Sequence, residues 1–278
     1  VDLFDTTHYI QEEDDEREAS TLNRVKFNQA REFSEENDLG ISVRENMLSD
    51  FRAKVIEFEP DLLLFSVVED VFLKSIKMLN AIEDLNIPHL VGGVFPTAAP
   101  KRCIETPGIN LIATGEGEAT VVTVSEAVRN GADLKGIPGT WHKDASGNIE
   151  STPAPPLVSL DDYRPDFSLF DETRFIRPMG GRIFKTIPVE TFRGCPYSCT
   201  FCNSPMQRTL TKDAGLGNYL RRKDLTNLRG ELDELIELHQ PEFFYFIDDV
   251  FLARPRQEIF DFCDMYEDIG LPFWFNTR

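Results

Sequence analysis

Three cysteines fall within eight positions of this 278-residue chain: Cys195, Cys199 and Cys202, spaced C-x3-C-x2-C in the run Arg193-Gly194-Cys195-Pro196-Tyr197-Ser198-Cys199-Thr200-Phe201-Cys202. Thiolates this close in sequence can converge on one soft metal centre, an iron–sulfur cluster or zinc. The next cysteine, Cys263, lies far along the chain in a helical pattern, so a closed four-thiolate site has no fourth ligand nearby. On a four-iron cube, three ligands leave one iron open to a substrate or cofactor. Zinc sites more often use paired C-x2-C or Cys/His sets, and the flanking histidines, His142 and His239, are distant in sequence. A disulfide with one spare thiol is the third reading, and a reducing compartment disfavours it.

The Arg-Gly-Cys-Pro-Tyr lead-in and the aromatic Phe201 just before the third cysteine resemble the cluster-binding signature of the radical S-adenosylmethionine (radical SAM) enzymes. The resemblance implies that Cys195, Cys199 and Cys202 hold a [4Fe-4S] cluster whose open iron is chelated by S-adenosylmethionine. One electron then releases a 5′-deoxyadenosyl radical, so the cofactor carries the hard chemistry and the protein positions it. Phe201 would pack near the adenine, a plain core aromatic being the other reading. A reducing partner such as flavodoxin or ferredoxin is implied as well.

Composition narrows the class. With 48 acidic against 29 basic residues the net charge is −19, which argues against a nucleic-acid groove and suits a cytoplasmic protein but says little about substrate; a small-molecule substrate is what the resemblance implies. A hydrophobic fraction of 41% is ample for a core, and no apolar run is long enough for a membrane span. The opening Val1-Asp2-Leu3-Phe4-Asp5 has no basic segment before an apolar one, so no signal peptide is expected. A strand-like start on Val suggests a fragment whose N-terminal domain lacks its first strand.

The elements that must position these groups follow from periodicity. Strands are predicted over 1–4, 61–66, 89–94 and 109–113, and helices over 45–58, 72–85 and 118–129. Apolar strands alternating with helices specify a parallel sheet covered on both faces, with ligands at the carboxyl ends of its strands. Ser66, Gly92, Gly93, Gly115, Glu116 and Gly117 stand at those ends. These Gly-Gly and Gly-Glu-Gly-Glu loops resemble the cobalamin-binding domain that precedes the radical module in one large radical SAM subfamily, which implies that the six residues line a corrinoid. No Asp-x-His-x-x-Gly motif is present, so the cobalt axial ligand stays open; His8 lacks that context. A flavodoxin-like domain without a ligand, its glycines only turning the chain, is the alternative.

A hairpin over 141–150 leads into a proline-rich passage that should run extended. The predicted organisation is a cobalamin-binding-like α/β domain over 1–150, a linker over 151–182, and the N-terminal half of a radical SAM β/α barrel over 183–278. The fold class is thus α/β: a flavodoxin-like, Rossmann-type parallel sheet followed by a partial barrel. The barrel half should hold strands at 188–191, 243–247 and 272–276 and helices at 225–239 and 256–269. Asp248 and Asp249 follow the second of these strands, where many members of the family hold the amino group of S-adenosylmethionine; two acids capping the next helix is the competing reading. Arg278 is a candidate to face the cofactor carboxylate.

The resemblance implies a cobalamin-dependent radical SAM enzyme that methylates an unactivated carbon, or oxidises or cyclises it as the anaerobic magnesium-protoporphyrin ester cyclases do. The sequence names no catalytic residue and no substrate. Substrate contacts should lie in a further barrel half, and the chain by itself should turn over poorly. A methylthiotransferase ranks lower, because those enzymes carry three more cysteines in the N-terminal domain and only Cys103 is found there. A corrinoid- or cluster-carrying protein without catalysis is the non-enzymatic alternative. Cys103 and Cys263 are expected as small buried hydrophobes.

Overall fold

The computed structural model describes residues 1–9, 39, 40, 42, 44–179 and 181–278. The chain divides into two units. One comprises residues 1–59 with 166–176, the other 60–165 with 177–278. In the first unit, helix α1 (Met47–Phe58) ends on Glu59 in the left-handed region, just before Pro60. The strand expected over 1–4 is not formed. Phe4 instead lays its ring on Tyr9 and Phe51, at centroid distances of 5.6 and 5.2 Å, so side-chain packing decides the path there.

The second unit holds two larger sheets. The first has strand order β1-β2-β3-β4-β5: β1 (Leu63–Ser66), β2 (His89–Gly92), β3 (Leu111–Ala113), β4 (Thr140–Lys143) and β5 (Ile149–Ser151). Its first three strands are parallel, with Ser66 opposite Gly92 and Val91 opposite Ile112. The β4–β5 hairpin adds two antiparallel strands, so the sheet is mixed rather than wholly parallel. A short turn allows nothing else. Asp144 fixes it by accepting the backbone N–H groups of Ser146 and Asn148, both at 2.8 Å.

Alternation on the buried strands feeds two cores. Val91 and Ile112 join Val67, Phe72, Leu79, Phe95, Cys103, Ile104 and Ile109 on one face. Leu90, Leu111 and Ala113 join Val124 and Ile137 on the other. Helices α2 (Glu69–Asn80), α3 (Val94–Ala98) and α4 (Pro100–Glu105) supply the first core, and α5 (Gly117–Arg129) the second. Short α3 and α4 escape periodicity because five or six residues show no full helical repeat. Cys103 is wholly buried, and burial pushes its thiol up to about 11.

The second sheet runs β11-β10-β7-β6, from β6 (Ile176–Met179), β7 (Arg182–Val189), β10 (Phe243–Phe246) and β11 (Phe273–Phe275). Strands β7, β10 and β11 are parallel neighbours in the sheet, with Phe244 opposite both Ile187 and Phe273. Strand β7 begins six residues earlier than the sequence pattern suggests; Arg182, Lys185 and Pro188 hide its alternation. Helix α7 (Leu225–His239) buries Leu228, Leu232 and Leu235, and Asp224 caps it by accepting from the Thr226 N–H at 2.8 Å. Helix α8 (Arg256–Tyr266) buries Phe262 and Tyr266 in an aromatic cluster with Phe246, Phe251 and Phe273. Each fully buried Phe contributes about 1.5–3 kcal/mol. Cys263, expected to be buried, is exposed, since α8 turns the stripe of Phe262 and Tyr266 inward and the position after Phe262 outward. A two-stranded ribbon pairs β8 (Phe192–Arg193) with β9 (Arg221–Arg222). Between them lies α6 (Ser204–Asp213), a helix for which the residue pattern gives no expectation.

Candidate functional site

The cysteine loop leaves the carboxyl end of β7 through β8 and ends at α6. Gly194 makes the first bend with φ near +100°. A Cβ there would lie 2.5 Å from the carbonyl oxygen of Tyr219, so only glycine fits this entry to Cys195. Arg208 then reaches back from α6 and threads the loop. Its Nη1 donates to the carbonyls of Cys195 (3.1 Å), Pro196 (2.6 Å) and Tyr197 (3.4 Å), and its Nη2 to Ser198 Oγ (2.8 Å). The Cys202 N–H closes a turn on the Cys199 carbonyl at 3.2 Å. Arg208 was not foreseen; the signal for its helix was Pro205 near the first helical position.

All five cysteines are free. Cys195 is buried, Cys199 half-buried and Cys202 exposed. Donors stand at two of the three sulfurs: Arg278 Nη1 lies 3.3 Å from Cys199 Sγ, and the Ser204 N–H, opening α6, donates to Cys202 Sγ at 3.4 Å. Arg278 also sits over the Tyr197 ring, 5.0 Å from its centroid. Hydrogen bonds to sulfur of this kind are how a protein tunes a thiolate-held cluster. Among the described residues no group of three or more His, Cys, Asp or Glu is gathered to hold a metal ion. By donor chemistry, three free thiols on one backbone-pinned loop fit a soft cluster; by geometry the sulfurs are not converged. Phe201 is 92% exposed at the loop tip and is no core aromatic.

The acid pair after β10 splits into two roles. Asp248 is 2% exposed, and its carboxylate is already filled. It accepts from the Thr191 N–H (2.7 Å), Thr191 Oγ1 (2.5 Å), the Phe192 N–H (2.9 Å) and Arg254 Nη2 (2.9 Å). Burial pushes the Asp248 carboxyl above its ordinary value while these donors pull it back. With its acceptors engaged by the chain, this side chain buttresses the strand leading into the cysteine loop, and the geometry lends no support to a contact between Asp248 and S-adenosylmethionine. Asp249 is exposed. Neither acid caps the next helix, which starts at Arg256 behind Pro255.

At the carboxyl edge of the first sheet the glycine loops are tied together by Thr97, which sequence reasoning missed. Its hydroxyl donates to the Gly93 carbonyl at 2.8 Å and accepts from the Gly115 N–H at 3.0 Å. Gly93 has φ near +108°, and a Cβ there would meet the Val67 carbonyl oxygen at 2.6 Å, so its close approach is to its own chain. Gly92 and Gly117 have ordinary room and no positive φ, one ending β2 and the other opening α5. Ser66 is exposed at the end of β1.

Glu116 does not present a free carboxylate at this edge. It forms a forked ion pair with Arg221, one arm at 2.9 Å, and lies 3.1 Å from Arg193. Burial opposes its ionisation, but hydrogen bonds and charge from Arg221 and Arg193 outweigh that and hold its carboxyl below the usual range. Both carboxylate oxygens are engaged by the chain, so the geometry lends no support to a corrinoid contact by this side chain.

Comparison with known proteins shows what the chain is similar to. Residues 27–125 match the model of the B12 binding domain. Over 237 residues the chain is 28% identical to the anaerobic magnesium-protoporphyrin IX monomethyl ester cyclase of Rubrivivax gelatinosus, covering 82% of this chain and 40% of that protein. Over 234 residues it is 27% identical to the uncharacterized methyltransferase PH0819 of Pyrococcus horikoshii, covering 81% of this chain and 48% of that one. Its fold resembles that of the cobalamin-dependent S-adenosylmethionine radical enzyme OxsB, solved with aqua-cobalamin and S-adenosylmethionine bound. The TM-score is 0.61 at 20% identity, over 84% of this chain and 32% of that one. The chain spans less than half the length of these curated relatives. The fold is thus α/β, with a match to the B12 binding domain over residues 27–125. The chain is similar over most of its length to an anaerobic magnesium-protoporphyrin ester cyclase and to an uncharacterized methyltransferase. Among the described residues no helix is long and apolar enough to cross a membrane.

Proposed function

We propose that this chain is the cofactor-holding part of a cobalamin-dependent radical SAM enzyme acting on an unactivated carbon of a small molecule. The observation that carries the reading is the loop of three free thiols, pinned by Arg208 beyond β7 and linked by ion pairs to the Gly115–Glu118 loop of the B12-binding domain. The division near residue 150, the linker over 151–182 and the barrel half over 183–278 belong to the same proposal.

Cys195, Cys199 and Cys202 would hold a [4Fe-4S] cluster and leave one iron free of protein ligands. When bound, the cluster supplies the electron that cleaves S-adenosylmethionine, and cobalamin carries a methyl group or a second redox equivalent. Asp249, the accessible acid of its pair, accepts the ammonium of S-adenosylmethionine through charge-assisted hydrogen bonds. Phe201 offers its exposed ring to the adenine. Arg278, held beside Cys199, is placed for the carboxylate. Ser66, Gly92, Gly93, Gly115 and Gly117 bring backbone to the corrinoid at the carboxyl edge of the first sheet, as such sheets do with ligands. A flavodoxin or ferredoxin would deliver electrons in the cytoplasm, and the charge of −19 disfavours nucleic acid as substrate.

Both methyl transfer and oxidative cyclisation stand, because relatives of each kind match. The test is anaerobic reconstitution of the full-length protein with iron, sulfide and cobalamin, followed by mass spectrometry of the products from S-adenosylmethionine. Deoxyadenosine with S-adenosylhomocysteine indicates methyl transfer; deoxyadenosine alone indicates oxidation or cyclisation. Replacing any one of the three thiols by Ala should abolish both iron binding and deoxyadenosine. Retention of both in the triple variant would falsify the assignment.

A further inference from the structure

A cluster of five charges joins the two sheets of the second unit. Arg193 and Arg221 are register partners across the β8–β9 ribbon, so their guanidinium groups emerge side by side. Arg193 grips Glu190 through Nε and Nη2, each at 2.8 Å, and extends Nη1 to Glu118 at 2.8 Å and Glu116 at 3.1 Å. Arg221 holds Glu116 in a fork and donates to the Val158 carbonyl at 2.6 Å. The two glutamates follow β3 of the first sheet: Glu116, directly after Gly115, stands at the N-terminal boundary of α5 without capping it through its side chain, and Glu118 lies in the first turn of that helix. Side-chain exposures of 13–28% shield these pairs from water.

The connection is short at both ends. One residue, Gly194, separates Arg193 from Cys195, and its backbone is wedged against Tyr219 on the opposite side of the ribbon. Gly115, next to Glu116, is tied through Thr97 to Gly93. Paired guanidinium forks thus connect the glycine loops to Arg193, two residues before the first cysteine.

We propose that Glu116, Glu118, Arg193 and Arg221 are positioning residues that set the register between the glycine loops at the edge of the first sheet and the cysteine loop. This rests on the function proposed above, in which those loops face a corrinoid and a cluster; the four side chains touch neither and act through Gly115 and Cys195. A misplacement of about 1 Å between reacting groups can lower a rate about 100-fold, so the bridge governs turnover without owning any chemistry.

The experiment uses the full-length protein carrying Glu116→Gln with Glu118→Gln. Glu150→Gln, which removes the exposed pair between Lys135 and Glu150, gives the baseline. Amide hydrogen exchange without cofactors comes first: the double variant should lose protection at both 115–118 and 190–195 and keep it in the β4–β5 hairpin. After reconstitution it should retain iron and corrinoid, show altered magnetic coupling between the reduced cluster and cob(II)alamin, and turn over about 100-fold more slowly. Wild-type exchange at both loops, or unchanged coupling and turnover, overturns the proposal. If the double variant fails to fold, Glu118→Gln alone is read by the same measurements; collapse of that variant too would make the bridge a stability element and overturn the positioning role. Wild-type protein without iron or corrinoid would refute the proposed function, while the exchange result would still decide the bridge.

Discussion

Asp248→Ala is the substitution that most sharply separates a ligand-binding acid from a structural one. In the folded chain this carboxylate, 2% exposed, takes two backbone N–H groups, a hydroxyl and the Arg254 guanidinium. Truncation leaves Arg254, whose side chain is 4% exposed, without its carboxylate. Removing one partner of a buried pair costs about 3–5 kcal/mol. The orphaned N–H groups of Thr191 and Phe192 add to this, for a total on the order of 5 kcal/mol. In a unit of roughly 200 residues, 1 kcal/mol moves Tm by about 2–4 °C, so a fall of about 10–20 °C is expected. Asp248→Asn keeps an oxygen for the two N–H groups and loses the charge, and should fall by about half as much. Asp249→Asn, at an exposed position, should melt within about 0.5 kcal/mol of wild type and weaken only S-adenosylmethionine binding. Thermal unfolding of the three variants without cofactors, followed by circular dichroism, makes the comparison. An Asp248→Ala protein melting within about 2 °C of wild type would refute the buttress and return this acid to the ligand.

Three further outcomes follow from particular positions. Gly194→Ala forces a positive φ worth about 1–3 kcal/mol of strain against the Tyr219 carbonyl, so iron uptake after reconstitution should fall well below wild type; full uptake would show the loop entry to be tolerant. Native protein exposed to a maleimide should be modified at Cys263 and not at Cys103, whose buried thiol is pushed up to about 11, until it is unfolded; peptide mass spectrometry reads this, and equal labelling contradicts the core assignment. Glu116 has its folded-state pKa depressed, so its ionised form contributes stability above the ordinary value of about 4.3 and loses it as pH falls through the lower folded value. Urea unfolding should therefore drop more steeply below about pH 4.3 in wild type than in Glu116→Gln; parallel profiles would disprove the linkage.

The contrast between Asp248 and Asp249 shows what a sequence can carry. Both acids follow an apolar strand, and nothing local distinguishes them. Which one faces inward was fixed by Thr191, 57 positions earlier, and by Arg254, six later. Glu116 is similar: beside two glycines it looks like part of a ligand loop, yet its partner Arg221 lies 105 residues away. Helix α6 stayed hidden because its exposed, polar residues show little apolar periodicity. The mixed character of the first sheet was visible only as a hairpin, since strand order is not a local property.

The chain's own residue order determined the thiol spacing, the glycines that must bend backward, and the alternation of apolar strands with helices, because each of these is a short-range consequence of side-chain chemistry and backbone sterics. Folding in three dimensions decided which charges cancel, which carboxylates are filled, and which loops become neighbours. Those outcomes depend on desolvation and on partners brought together from distant segments, and a buried charge is settled only when its counterpart arrives.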